Sequence, residues 1–138
     1  MRYYLDTNIL VFILSNQKDE IDRDVTTLLD DYSNSFLVSS VVIQELLQLY
    51  KRGKLKKPDY YTPEDIFFVL DESGYEVVSI SKKNFLHYAK MDTADDHNDP
   101  NDHMIISQAI SDRIPIISSD RKFKLYESQG LQLVFNKR

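Results

Sequence analysis

Five short apolar segments alternating with helical ones predict an α/β domain with a central, largely parallel five-stranded sheet and helices on both faces. Three observations carry this expectation. Segments 2–6, 35–39, 75–80, 114–118 and 131–135 have strand length and are rich in Tyr, Phe, Val and Ile. Between successive segments lie helical patterns opened by Ser, Thr or Asp, the residue types that cap helices. Right-handed crossovers between parallel neighbours then place helices on both sides of the sheet. The 138 residues suit a single domain over 1–138, large enough for a real core.

Residues 2–6, Arg-Tyr-Tyr-Leu-Asp, read as a buried strand ending in a carboxylate. Thr7 and Asn8 lead into the apolar run 9–14, too long to continue that strand. A turn near Thr7 and a buried helix are expected, although periodicity alone leaves the run open. A second helix is expected over 19–32, with Ile21, Val25, Leu28 and Leu29 on one stripe. Segment 35–39 is a strand, and Ser40 is read as the cap of a helix over 41–52. The apolar arc of that helix is Val42, Ile43, Leu46, Leu49 and Tyr50. Glu45 falls at the rim of the arc, and Leu49 stands four residues on where a paired cation would be. Gly53 suits the position past the helix end.

A basic stretch follows, with Lys51, Arg52, Lys54, Lys56 and Lys57 before Pro58, flanked by Tyr50, Tyr60 and Tyr61. It reads first as a solvated loop; the alternative is a phosphate-contacting role for Lys51, Arg52 and Lys54, with Tyr60 or Tyr61 stacking. Thr62-Pro63-Glu64-Asp65 starts a helix that ends before Gly74. Segment 75–80 is the third strand, and Ser81 opens a helix to about residue 90. The acidic loop 92–98 then leads to Asp99-Pro100-Asn101-Asp102. Here Asp99 is an N-cap type, Pro100 suits the first helical position, and Asp102 lies one turn on. Ile106, Ala109 and Ile110 turn the other side of this helix toward a core, and it ends near Arg113. The fourth strand, 114–118, closes on Ser119-Asp120. A short helix over 121–126, a turn at Gly130 and the last strand complete the chain.

Composition narrows the function. With 42% hydrophobic and 28% charged residues the chain is an ordinary globular sequence without a membrane-length apolar run, and no secretory signal is expected. It has no cysteine, which excludes disulfides and thiolate metal sites and is compatible with a cytoplasmic location. A net charge of −5 argues against binding nucleic acid through overall positive potential.

In parallel sheets the ligand site is the crevice beyond the carboxyl ends of the strands, at a switch point in strand order. Asp6 and Asp120 end expected strands, and the helices of Glu45 and Asp99/Asp102 begin at that same edge. Four acidic positions scattered along the chain are therefore expected to meet in one cleft. Crowded carboxylates repel, and a divalent cation relieves the conflict. Oxygen-only ligands select Mg²⁺ or Mn²⁺, one or two ions, which can assist in-line displacement at a phosphodiester. Two such ions would reduce the net charge to about −1.

The combination Leu5-Asp6-Thr7-Asn8, Ser39-Ser40-Val41-Val42-Ile43-Gln44-Glu45-Leu46, His97-Asn98-Asp99-Pro100-Asn101-Asp102 and Ser118-Ser119-Asp120 resembles a PIN domain. Within that family it looks most like the small VapC-type ribonuclease toxins. The resemblance spans essentially the whole chain and implies a three-layer fold with a flavodoxin-like strand order. It also implies metal-dependent endonuclease activity on RNA, as the toxin of a toxin–antitoxin pair. By this resemblance Asp6, Glu45, Asp102 and Asp120 match the acidic quartet, with Asp6 and Asp102 as the usual metal anchors. Asp99 matches a further acid of the Asp-Pro subgroup, while Asn8 and Ser119 match polar positions that orient the carboxylates. Two departures are visible. His103 stands where Arg is common, and Asn101 where an aromatic residue is common; both would bear on substrate or partner contacts. His97 and His103 read as polar orienters or surface residues rather than ligands.

The resemblance further implies a homodimer and a small antitoxin that blocks the acidic cleft. Two other readings stand beside it. One is a PIN-like fold kept as a non-catalytic RNA- or protein-binding module. The other is a receiver-type signalling domain, disfavoured because the first strand ends in a single Asp and Ser119-Asp120 lacks the expected Lys.

Overall fold

Tyr3, Tyr4 and Leu5 follow one another along a single strand, and all three are buried. Side chains alternate across a strand, so the sheet is covered on both faces. The computed structural model describes residues 1–55, 60 and 62–138. Of the basic, tyrosine-flanked stretch, Lys56, Lys57, Pro58 and Tyr61 therefore lie outside the described residues.

The order of elements is β1 (Arg2–Leu5), α1 (Thr7–Leu14), a 3₁₀ turn (Lys18–Glu20), α2 (Arg23–Asp30), β2 (Ser35–Ser39), α3 (Ser40–Lys51), α4 (Pro63–Glu72), β3 (Glu76–Val78), α5 (Lys82–Lys90), α6 (Pro100–Asp112), β4 (Ile116–Ser118), a 3₁₀ helix (Arg121–Gln129) and β5 (Leu133–Phe135). The five strands form one sheet in the order β3-β2-β1-β4-β5, every pairing parallel. This bears out the α/β class and corrects the strand order. A flavodoxin sheet runs 2-1-3-4-5, whereas here β2 lies between β1 and β3. The reversal of direction therefore falls between β1 and β4, the strands that lead into Asp6 and Asp120. Right-handed crossovers put the connections toward β3 on one face and those toward β5 on the other.

Local chemistry explains most boundaries. Thr62 and Asp65 form a reciprocal capping box at the start of α4, with Pro63 in the first turn. Ser81 and Asn84 do the same for α5. Asp99 caps α6, its Oδ1 accepting from the backbone N–H groups of Asn101 and Asp102. Strand β4 is shorter than expected because Pro115 has no N–H; its carbonyl instead accepts from Tyr4 N–H at 2.8 Å.

Two local expectations fail for tertiary reasons. The helix expected over 19–32 is broken at Ile21-Asp22. The Asp22 Oδ1 caps α2 through Val25 N–H, its Oδ2 accepts from Lys137 N–H at 2.7 Å, and its own N–H donates to Asn136. A continuous helix would forfeit those ties to the end of β5. Ser39, not Ser40, caps α3, accepting from Val41 N–H. Ser40 is already helical, and its Oγ accepts from Ile80 N–H beyond β3.

The core joins β1, β2 and β4 to the apolar sides of α1, α3 and α6. Leu10 in α1 is fully buried in it. Leu10→Ala is expected to lower stability by about 2–5 kcal/mol, read as a lower urea midpoint with an unchanged m value. Among the described residues no helix is long and apolar enough to cross a membrane.

Candidate active site

Asp6 is the residue at which β1 becomes α1. Its Oδ1 accepts from Thr7 N–H at 2.8 Å, capping the helix, and its Oδ2 accepts from Ser118 Oγ at 2.6 Å. Both oxygens are thus fixed, and the carboxyl is only 4% exposed. Ser118 ends β4, and the same Oγ accepts from Asp120 N–H at 3.0 Å. One buried hydroxyl therefore sets the spacing between the acids at the two central strand ends.

Glu45 reaches the cleft from the middle of α3, half-buried, with Thr7 Oγ1 donating to its Oε1 at 2.5 Å. Asn101 also hydrogen-bonds its carboxylate. Asp102 lies in the first turn of α6, 3.0 Å from His97 Nε2 through its Oδ2. Asp120 caps the 3₁₀ helix Arg121–Gln129 through Lys122 N–H. Asp6, Glu45, Asp99, Asp102 and Asp120 line one cavity of about 400 Å³, which Thr7 and Asn8 also line. Ser119 is not on that wall, but its N–H donates to Asn8 Oδ1 at 3.3 Å.

The electrostatics follow from crowding and burial. Burial pushes the Asp6 carboxyl up to about 7, with Asp102 and Glu45 adding to the shift and the Ser118 bond opposing it. Asp102 is likewise raised to about 7, first by burial and then by Asp99, Asp120 and Glu45. Glu45 is raised by burial, against the bond from Thr7. Burial lowers His97, against Asp120 and Asp99, and so favours its neutral imidazole.

The tautomer of His97 follows from its neighbours. Tyr126 OH accepts from Ala94 N–H at 3.1 Å, so its own hydrogen is directed to His97 Nδ1 at 2.7 Å. The remaining imidazole hydrogen then sits on Nε2 and is donated to Asp102. His103 Nε2 holds the same loop through the carbonyl of His97 at 2.9 Å. The two sequence departures are thus not confined to outer contacts. Asn101 reaches Glu45, and His103 braces the residue that aims Asp102. Tyr126→Phe removes one donor and leaves Ala94 N–H without its acceptor. It is expected to cost about 1–3 kcal/mol in thermal unfolding.

Sequence reasoning missed Ser118, Thr7 and Tyr126. Ser118 and Thr7 sit beside motif acids and could have been suspected as orienters; Tyr126 is 29 residues from His97 and gives no local signal. The basic residues do not join the cleft. Lys51 and Arg52 line a separate groove with Gln48, and Lys54 is exposed.

The donor set fits a divalent cation. Ligand atoms of His97, Asp102 and Asp120 lie within 4.8 Å of one another. With Nε2 of His97 committed to Asp102, the carboxylates are the available ligands, a hard oxygen set suited to Mg²⁺ or Mn²⁺.

Comparison with known proteins places this geometry. The PIN domain family model matches residues 3–128. The chain belongs to the PIN domain family. Its fold is also similar to that of several solved structures. One is VapBC2 from Rickettsia felis bound to a DNA fragment from their promoter, with 23% identity, 99% of this chain and 100% of that chain covered, and a TM-score of 0.71. Another is DNA-bound VapBC from Salmonella typhimurium, at 21% identity, 98% coverage of both chains and a TM-score of 0.68. A third is VapBC-1 from nontypeable Haemophilus influenzae, at 22% identity, 98% coverage of both chains and a TM-score of 0.66. A search of curated proteins found no match. The PIN strand order is not that of a receiver domain, which shares the flavodoxin order.

Proposed function

We propose that this PIN domain is a Mg²⁺- or Mn²⁺-dependent endoribonuclease acting in the cytoplasm as the toxin of a VapC-type toxin–antitoxin pair. The observation that carries the reading is the convergence of Asp6, Glu45, Asp102 and Asp120 on one cleft, each held by hydrogen bonds from neighbouring elements.

In this reading Asp6 and Asp102 hold the metal, with Glu45 and Asp120 ligating directly or through water. When bound, the ion supplies Lewis-acid charge for the phosphodiester oxygens and lowers the pKa of water. The chain's own groups supply orientation. Ser118 and Thr7 N–H fix Asp6, Thr7 Oγ1 and Asn101 fix Glu45, and His97 fixes Asp102. Such outer partners typically change metal affinity or activity by about 10–100-fold when removed. A carboxyl with a raised pKa, as at Glu45, also suits proton acceptance from an attacking water. Asp99 acts chiefly as the cap that sets the start of α6, Asn8 and Ser119 brace the two strand ends, and Lys51, Arg52 and Lys54 are candidate outer contacts for RNA.

Large apolar side chains exposed on α4 (Phe67, Phe68) and α5 (Phe85, Leu86) support association with a second copy or an antitoxin. The VapBC structures similar to this chain support the antitoxin. The deciding experiment is incubation of total RNA with the purified protein and Mn²⁺, followed by mapping of new ends. Discrete cleavage that EDTA stops is expected. An intact RNA pool together with Mn²⁺ binding to the protein would favour a non-catalytic module.

A further inference from the structure

A second groove adjoins the acidic cleft and shares two of its walls. It occupies about 630 Å³ beside Asp120, bounded by Ser119, Arg121, Lys122, Phe135 and Arg138. Asp120 and Arg138 line both cavities, so a chain lying in one leads directly into the other.

Arg121, Lys122 and Arg138 on this groove, and Lys124 over the ring of its wall residue Phe135, are held mostly by neutral groups. Lys124 Nζ lies 4.0 Å from the centroid of the Phe135 ring, and Arg121 Cζ lies 5.9 Å from the same centroid. Arg138 Cζ lies 5.0 Å from the ring of Phe12, itself a wall of the acidic cleft, while its Nε donates to Glu20. Lys122 Nζ donates to a backbone carbonyl, that of Asp96. A cation held by an aromatic face or a carbonyl keeps its charge, whereas one held by a carboxylate is neutralised. Four positive side chains thus stand against two acids, Glu20 and the shared cleft residue Asp120, immediately beside the acidic cleft of a chain whose net charge is −5.

The groove is also built rather than incidental. Asn136, fully buried at the end of β5, donates to Ser119 Oγ at 2.9 Å and to the carbonyl of Glu20 at 2.8 Å. It thereby ties the last strand to the residue before Asp120 and to the 3₁₀ turn that carries Glu20.

We propose that this groove binds backbone phosphates of the RNA strand on one side of the scissile bond, through Arg121 and Arg138 on its wall and Lys124 over the ring of its wall residue Phe135. The proposal rests on the endoribonuclease reading. Phe135 is a positioning residue, which holds two of the cations without neutralising them. A row of cations beside the acidic cleft explains how an acidic protein retains a polyanion. The metal site takes one phosphate, and the cation wall takes the next along the strand.

The test is fluorescence anisotropy with a labelled single-stranded RNA between 50 and 200 mM salt, in the Asp6→Asn background to prevent cleavage. Each phosphate contact to a single strand contributes about 0.7 to the slope of log K against log salt. Arg121→Ala with Lys124→Ala is therefore expected to flatten the slope by about 1.4 and to weaken binding on the order of tenfold. Phe135→Leu keeps apolar bulk but removes the ring face, and is expected to flatten the slope less. A double variant with native circular dichroism and melting, and with unchanged slope and affinity, overturns the subsite. Cleavage by the unaltered protein with Mn²⁺ is measured in parallel. Cleavage without any slope change overturns the subsite alone; a slope change without cleavage supports the subsite and overturns the nuclease reading; neither binding nor cleavage overturns both.

Discussion

Asp6→Asn is expected to abolish metal-dependent RNA cleavage while raising the stability of the metal-free protein above neutral pH. The loss follows from the position of Asp6 between the two central strand ends, where Thr7 N–H and Ser118 hold both of its oxygens in the cleft. A reduction on the order of 10²–10³-fold or more in cleavage rate is expected, the range seen when one buried electrostatic group is removed from a catalytic site. The gain in stability has a separate origin. Asn preserves an acceptor for Thr7 N–H and can exchange a hydrogen bond with Ser118, yet carries no charge to bury. Burial pushes Asp6 up to about 7, so ionising it at pH 8 costs the native state on the order of 3–5 kcal/mol. The melting temperature of Asp6→Asn at pH 8 in EDTA should exceed that of the unaltered protein by on the order of 10 °C. Retained cleavage would remove Asp6 from the mechanism; retained fold with lost cleavage separates its two roles.

The metal-free protein is expected to lose stability as pH rises from about 4 to about 7, against the usual behaviour of carboxylates. Asp6 and Asp102 are raised to about 7 in the native state, while the unfolded chain ionises near the ordinary carboxylate value. Below that value both states are protonated and the two groups contribute nothing. Between the ordinary and raised values the native state holds protons that the unfolded state has released, so increasing pH favours unfolding. Above about 7 both states are ionised and the penalty is constant. A divalent cation that binds only the native site offsets this penalty, by about 2.7 kcal/mol at a hundred times its dissociation constant. Melting scans at pH 5 and pH 8 in EDTA should therefore show a lower midpoint at pH 8, and Mn²⁺ should restore it. A variant carrying both Asp6→Asn and Asp102→Asn should lose most of the difference. A midpoint that rises with pH in EDTA would contradict the buried, charge-crowded site.

Much of the candidate site was legible because the acids other than Glu45 sit at boundaries that short-range chemistry specifies. Asp99-Pro100 marks a helix start, Asp6 follows a run of buried strand residues, and Asp120 follows Ile-Ile-Ser-Ser. Glu45 was legible less directly, as a carboxylate at the rim of an apolar arc with no cation one turn on. Ser118, Thr7 and Tyr126 were not legible as positioners, because hydroxyls acquire that role only when another element arrives. The same limit broke the helix expected over 19–32, where the side chain of Asp22 is claimed by the end of β5. It also hid the cation wall beside Asp120, since Arg121 and Lys124 are gathered over the ring of Phe135 from the last strand and Arg138 over that of Phe12 from α1.

The sequence by itself determined the alternation of strands and helices, the caps, and the placing of acids at strand ends and helix starts, because those depend on neighbours within a few residues. The tertiary structure decided the strand order, with its reversal between β1 and β4, and so decided which strand ends stand side by side. It also decided that His97 is a neutral donor to Asp102 and that positive side chains gather next to an acidic cleft. Those outcomes depend on burial and on partners far apart in the chain, 112 residues between Asp6 and Ser118 and 118 between Glu20 and Arg138, and local pattern carries no record of them.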